Sequence, residues 1–78
     1  MATLAELSPG EGAYVKSLCL FGTLRERLED LGLVEGTFVR CRLMAPSGSP
    51  LAFRIRGAVI ALRRQDAAQI LCIPEGST

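Results

Sequence analysis

Apolar and polar residues alternate along this chain with two different periods. From Thr37 to Pro46, Val39, Cys41 and Leu43 alternate with Arg40 and Arg42, the period-two pattern of a half-buried strand with a charged outer face. Residues 51–62 repeat the pattern as a hairpin: Leu51, Phe53 and Ile55 face inward, and Arg56-Gly57 forms a two-residue turn with Gly57 at positive φ. That register sets Phe53 against Ile60 and Leu51 against Leu62. It leaves Arg54 and Ala52 beside Val59 and Ala61 on the outer face. Residues 13–21 begin as a strand, with Val15 and Ser17 on one face and Tyr14, Lys16 and Leu18 on the other, so the alternation is imperfect. Residues 70–73, ILCI, form a last short strand stopped by Pro74, with a frayed tail beyond.

The helical period appears in residues 22–33. Leu24, Leu28 and Leu31 make an i, i+4, i+7 stripe directed at the core. Thr23 is placed as N-cap, with Glu26 completing a capping box. Arg25 and Glu29 form an i, i+4 ion pair, Gly32 takes the left-handed closing position, and Leu33 folds back on Leu28. Thr3 and Glu6 have capping-box spacing ahead of a single turn that buries Leu4 and Leu7, before Pro9-Gly10 breaks the chain. Residues 64–69 hold one further turn. Five short strands and one helix predict a mainly β fold: a small five-stranded barrel with the helix inserted after the first strand and covering one end. The whole of residues 1–78 reads as a single domain, with 74–78 as its flexible tail.

Composition narrows the function. Nine basic against eight acidic residues give a net charge of +1, without the excess typical of nucleic-acid binders. The chain has no histidine, which excludes Ser-His and Cys-His nucleophile pairs and leaves no catalytic machinery. Glu26, Glu29 and Asp30 share one short helix as solvated charges. Cys19, Cys41 and Cys72 are widely spaced, read as small apolar residues of a reducing cytosol, and make neither a disulfide framework nor a thiolate metal site. PGEG and SGSP lack the Lys-Ser/Thr ending of a phosphate loop and read as turns. No segment reaches the apolar length of a membrane span, and the N-terminus has no basic, apolar leader.

Four segments in order, LSPGEGAYV, RERLEDLGLVEGTFV, APSGSPLAFRIRG and IALRRQDAAQI, make the chain resemble the FeoA family over about residues 4 to 73. These are small cytosolic partners of the bacterial ferrous-iron permease FeoB. The resemblance implies an SH3-like barrel that binds the cytoplasmic part of that GTP-dependent permease and supports ferrous uptake; the residues themselves, without a cluster of the softer ligands iron prefers, predict no cofactor or resident metal. It implies a cytoplasmic protein, recruited to the inner face of the membrane by its partner and not inserted in it. The family often has Gly-Asp-Pro where this chain has Gly48, Ser49 and Pro50, so any ion contact through a carboxylate there is lost. An alternative is an effector domain standing alone, like the C-terminal domain of DtxR-type metal-dependent repressors; another is a small nucleic-acid-binding barrel.

Arg40, Arg42 and Arg54 alternate with core residues and therefore stand on outer faces, where they cluster if their strands are neighbours. The expected partner surface joins the helix exterior, with Arg25 and Arg27, to the apolar loop Met44, Ala45 and Pro46, and includes Arg54. Arg25 or Arg27 is also the candidate to reach a GTP site in trans. An open sheet edge would let two copies pair, or let the chain extend a partner's sheet.

Overall fold

The computed structural model describes residues 2–76. Six strands form one antiparallel sheet: β1 (Ala2–Thr3), β2 (Gly12–Leu18), β3 (Phe38–Met44), β4 (Leu51–Ile55), β5 (Ala58–Leu62) and β6 (Ile70–Pro74), in the order β1-β6-β2-β3-β4-β5. The eight-residue helix α1 (Thr23–Asp30) follows β2, and a short helix α2 (Arg64–Ala67) joins β5 to β6. The strand missing from the expected five is β1. Only two residues long, it pairs with β6 through Ala2↔Cys72 and Thr3↔Leu71, too short to carry a period in the sequence. β6 runs one residue past its expected stop, through Pro74, and Glu75 N–H donates to Gly12 O at 2.8 Å. The expected tail's last two residues, 77–78, lie outside the described residues.

Two bulges bend the sheet around its core; the one in β2 explains the imperfect alternation read there, and the one in β3 corrects a strict alternation. In β2 the register against β6 shifts between Val15 and Ser17, leaving Lys16 as the extra residue. Leu18 is thereby returned to the buried face, which accounts for the imperfect alternation there. In β3 the register against β4 shifts between Cys41 and Leu43, so Arg42 is extra and Leu43 turns outward, 58% exposed, beside Ala52. The hairpin register is the expected one: Leu51↔Leu62, Ala52↔Ala61, Phe53↔Ile60 and Arg54↔Val59. Its turn differs in one respect, because the positive φ falls on Arg56 (55°) and not on Gly57.

α1 closes as the sequence indicates. Leu33 N–H donates to Leu28 O at 2.9 Å and Gly32 N–H to Glu29 O at 3.0 Å, the paired bonds of a Schellman end, with Gly32 at φ 99°. Its start is one residue earlier than expected. Gly22 is the N-cap and Thr23 the first helical residue, so the Thr23–Glu26 capping box does not form. Only Leu28 of the leucine stripe is fully buried; Leu24 is half-buried and Leu31, as C-cap, is 40% exposed. The turn Leu4–Glu6 buries Leu4 and Leu7, and Thr3 N–H donates to Glu6 Oε2 at 2.8 Å. Phe53, Leu4, Leu33, Leu51, Ile55, Ile70 and Val39 form the centre of a single core between sheet, α1 and this turn.

Candidate functional site

The neighbouring strands β3 and β4 bring the arginines together. Arg40 and Arg54 are direct partners in the ladder, and both are on the outer face. With Thr37, Phe38 and Arg56 they line an open cleft of about 480 Å³. Like charges directly opposite on antiparallel strands repel each other, so the pair needs a compensating group. Arg40 has several: Nη1 donates to Gly10 O at 2.7 Å, Nη2 lies 3.4 Å from Glu75 Oε2, and the guanidinium stands 5.1 Å from the centre of the Phe38 ring. Arg54 and Arg56 have no hydrogen-bond or ion-pair partner among the described residues. Arg42, expected in the same cluster, is displaced by the bulge and does not line the cleft.

Each wall of the cleft has a local cause. The tip of the Phe38 ring is directed at Gly12, where a Cβ would overlap it, and the ring meets that of Tyr14 edge-on at 5.1 Å. Thr37 is buried because its hydroxyl donates to Gly32 O at 2.8 Å, joining the end of α1 to the start of β3. Arg56 lies across Gly32: a Cβ at that glycine would come within 3.0 Å of Arg56 Cδ and Nε. The positive charge thus sits by the C-terminal end of α1, where the helix dipole favours a cation. The cleft can bind a carboxylate or another anion, because two guanidiniums in it have donors to spare. The sequence placed Arg40, Arg42 and Arg54 on outer faces, and the β3–β4 pairing brings Arg40 and Arg54 together. Arg56 was hidden from the sequence, because a hairpin-turn residue carries no facing information until the turn's φ is known.

The other residues expected to meet a partner are dispersed. Arg25 is committed to its own fold: its Nη1 donates to Leu18 O at 3.2 Å and Leu20 O at 3.4 Å, and its Nε to Glu29 Oε2 at 3.2 Å. Arg27 is exposed on α1 without a polar partner among the described residues. Met44, Ala45 and Pro46 stand at the Met44↔Leu51 end of the β3–β4 ladder, while Arg54 and Arg56 stand toward the Val39↔Ile55 end. Arg64 fixes that loop, donating to Gly48 O (2.8 Å), Met44 Sδ (3.1 Å) and, across to the first turn, Ala5 O (2.9 Å).

A second hollow, on the far side of Arg40, is lined by Glu6, Glu11 and Glu75 with Gly10, Gly12 and Pro74. Glu6 and Glu11 each accept a backbone N–H, so these carboxylates serve turns. Among the described residues no group of three or more Cys, Asp or Glu side chains is arranged to hold a metal ion. Cys41 and Cys72 are buried and their thiols are pushed up, first by desolvation and then by Glu11 and Glu6 respectively, whereas Cys19 is exposed. No described helix is long and apolar enough to cross a membrane.

The model of the FeoA domain family matches residues 2–74. A curated relative, the Fe(2+) transport protein A/Fe(2+) transporter FeoB fusion protein of Porphyromonas gingivalis, is 34% identical over 67 residues, which is 86% of this chain and 8% of the relative. The chain therefore spans less than a tenth of that protein. The solution structure of FeoA from Chlorobium tepidum superposes with a TM-score of 0.90 at 34% identity, covering 95% of this chain and 70% of that one. FeoA of Stenotrophomonas maltophilia, solved in complex with zinc and described as a prokaryotic SH3 domain protein, gives 0.80 at 30% identity, covering 92% and 89%. The mainly β, SH3-like fold and the link to ferrous-iron transport follow from these likenesses. On sequence and structure together, the chain belongs to the FeoA family.

Proposed function

We propose that this protein is an accessory and regulatory subunit of bacterial ferrous-iron uptake that binds the cytoplasmic part of a FeoB-type permease. The observation that carries this reading is the fusion in Porphyromonas gingivalis, where a segment like this chain and the permease are one polypeptide. A fused segment meets its partner at high effective concentration; the free chain needs a surface that restores the encounter. The cleft at Arg40, Arg54 and Arg56 supplies one for an acidic region of the permease, with Arg27 and the loop Met44, Ala45 and Pro46 as further candidate contacts on other faces. Arg25, whose Nε and Nη1 donors are already used, shapes α1 and is not a contact of first choice. The protein works in the cytoplasm, at the inner face of the membrane when bound, and without catalysis of its own. It acts by binding one conformational state of the permease more tightly than another.

The test is capture of the permease's cytoplasmic domain by this protein, with and without GTP. Capture that changes with nucleotide and falls in Arg54→Gln supports the reading. No capture by the wild-type protein at low salt in any nucleotide state overturns it. Permease GTP turnover measured with Arg25→Ala and with Arg27→Ala decides whether either arginine is supplied in trans: an unchanged rate in both removes that role.

A further inference from the structure

β5 is an edge of the sheet. In the order β1-β6-β2-β3-β4-β5 it pairs only with β4. The two-residue turn makes Ile55↔Ala58 the closing hydrogen-bonded pair, so the inward-bonding residues of β5 are Ala58, Ile60 and Leu62. The N–H and C=O groups of Val59 and Ala61 point the other way, and no backbone or side-chain partner meets them among the described residues. The strand AVIAL has no charge, no proline and no bulge, the devices by which proteins normally blunt an edge. Val59 is 58% exposed.

Charge surrounds this edge. Arg54 is the ladder partner of Val59, on the outer face one strand in. Arg56 stands at the turn before β5 and Arg63 directly after its last residue. None of the three guanidiniums has a polar partner among the described residues. Self-pairing of two β5 strands centred on Ile60 would set Gly57 against Arg63 of the second copy at both ends, with Arg56 next to it. Four arginines would then crowd the interface, so the edge disfavours a second copy. An acidic strand meets the opposite situation: a strand added beside β5 runs about 10 Å from β4, within reach of Arg54, and its ends meet Arg56 and Arg63.

We infer that the β5 edge takes an extended acidic segment of a protein partner by strand addition, with main-chain bonds at Val59 and Ala61 and carboxylates on Arg54, Arg56 and Arg63. The inference deepens the proposed function and rests on it only for the partner's identity.

Two probes separate the inference from that reading. The first is an acetylated peptide of alternating valine and glutamate, followed by amide hydrogen exchange in the full chain. Expected is about tenfold slowing of exchange at Val59 and Ala61, weakening with salt, and no slowing with the matching valine–lysine peptide. Unchanged exchange at both amides, equal effects of the two peptides, or slowing that appears with protein concentration alone overturns it. The second is capture of the permease's cytoplasmic domain by Val59→Pro, which deletes an outward N–H without touching the β4 ladder. Wild-type capture that drops about tenfold in this variant supports the inference. Equal capture by both overturns it and leaves the proposed function intact. If the permease is not captured at all while the acidic peptide still protects β5, the proposed function fails and the inference stands. Should Val59→Pro fail to fold, Arg54→Gln with Arg63→Gln takes its place. That pair is expected to lose at least about threefold in peptide affinity, and an unchanged affinity counts against the inference.

Discussion

Replacing Arg64 with alanine should cost this domain about 2 kcal/mol, although the residue lies on the surface. Three contacts of its guanidinium would be lost. The bond to Ala5 O, at 2.9 Å and partly buried, is a charge-assisted bond shielded from water and contributes roughly 1.5 kcal/mol. The exposed bond to Gly48 O at 2.8 Å competes with water and contributes about 0.5 kcal/mol. Met44 Sδ is a weak acceptor and adds a few tenths of a kcal/mol at about most. Alanine's better helix propensity, in a four-residue helix, offsets only a small part of the loss. These contacts join three segments far apart in sequence, the first turn, the loop 44–50 and α2, so their loss loosens all three together. For a domain of this size the melting temperature should fall by roughly 10 °C. Urea unfolding of wild type, Arg64→Ala and Arg64→Lys measures it, with lysine retaining one contact and falling in between. A loss below about 0.5 kcal/mol in Arg64→Ala would refute the assignment of Arg64 as the clasp between these segments.

Other outcomes follow from single positions. Gly32→Ala should destabilise by about 1–2 kcal/mol in urea unfolding, because a side chain at φ 99° is strained and its Cβ presses on Arg56; equal stability would show that the helix end relaxes freely. Gly12→Ala should displace the Phe38 ring and alter the near-ultraviolet dichroism of Tyr14, with a loss of about 1–3 kcal/mol from overpacking; an unchanged spectrum would contradict the ring's seat. Native protein should expose one fast-reacting thiol, Cys19, to a thiol reagent, with Cys41 and Cys72 reacting only on unfolding. The raised thiols of Cys41 and Cys72 also give stability a sign. Their folded-state values lie above the ordinary 9.0, so this contribution is complete below about pH 9 and is lost as pH rises through the folded values. Urea midpoints that stay level from pH 9 to 11 would count against buried thiols.

Local chemistry was legible in this sequence where one element's own residues decide the outcome. The hairpin register follows from Phe53, Ile60, Leu51 and Leu62 needing to meet across a two-residue turn, and the end of α1 follows from Gly32 with Leu33 behind it. The Arg25–Glu29 pair is a matter of helical spacing alone. The FeoA resemblance was likewise carried by four ordered segments, and the family match over residues 2–74 supports it. The two bulges were not legible, because an extra residue at Lys16 or Arg42 is chosen by how the neighbouring strand must bend around the core. That choice moved Leu18 inward and Leu43 outward against the strict period.

The candidate site shows the same division. The sequence by itself determined that Arg40 and Arg54 leave the core, since each sits between buried residues of a strand. Only the tertiary structure decided that they stand side by side, that Arg56 joins them by lying across Gly32, and that Arg25 is occupied by the carbonyls of Leu18 and Leu20. It also decided that Met44, Ala45 and Pro46 lie at the other end of the ladder and that β5 is left as an edge. The physical reason is one of range. Facing is set by a residue's near neighbours through the backbone period, whereas adjacency, charge compensation and free edges depend on strands brought together from distant parts of the chain.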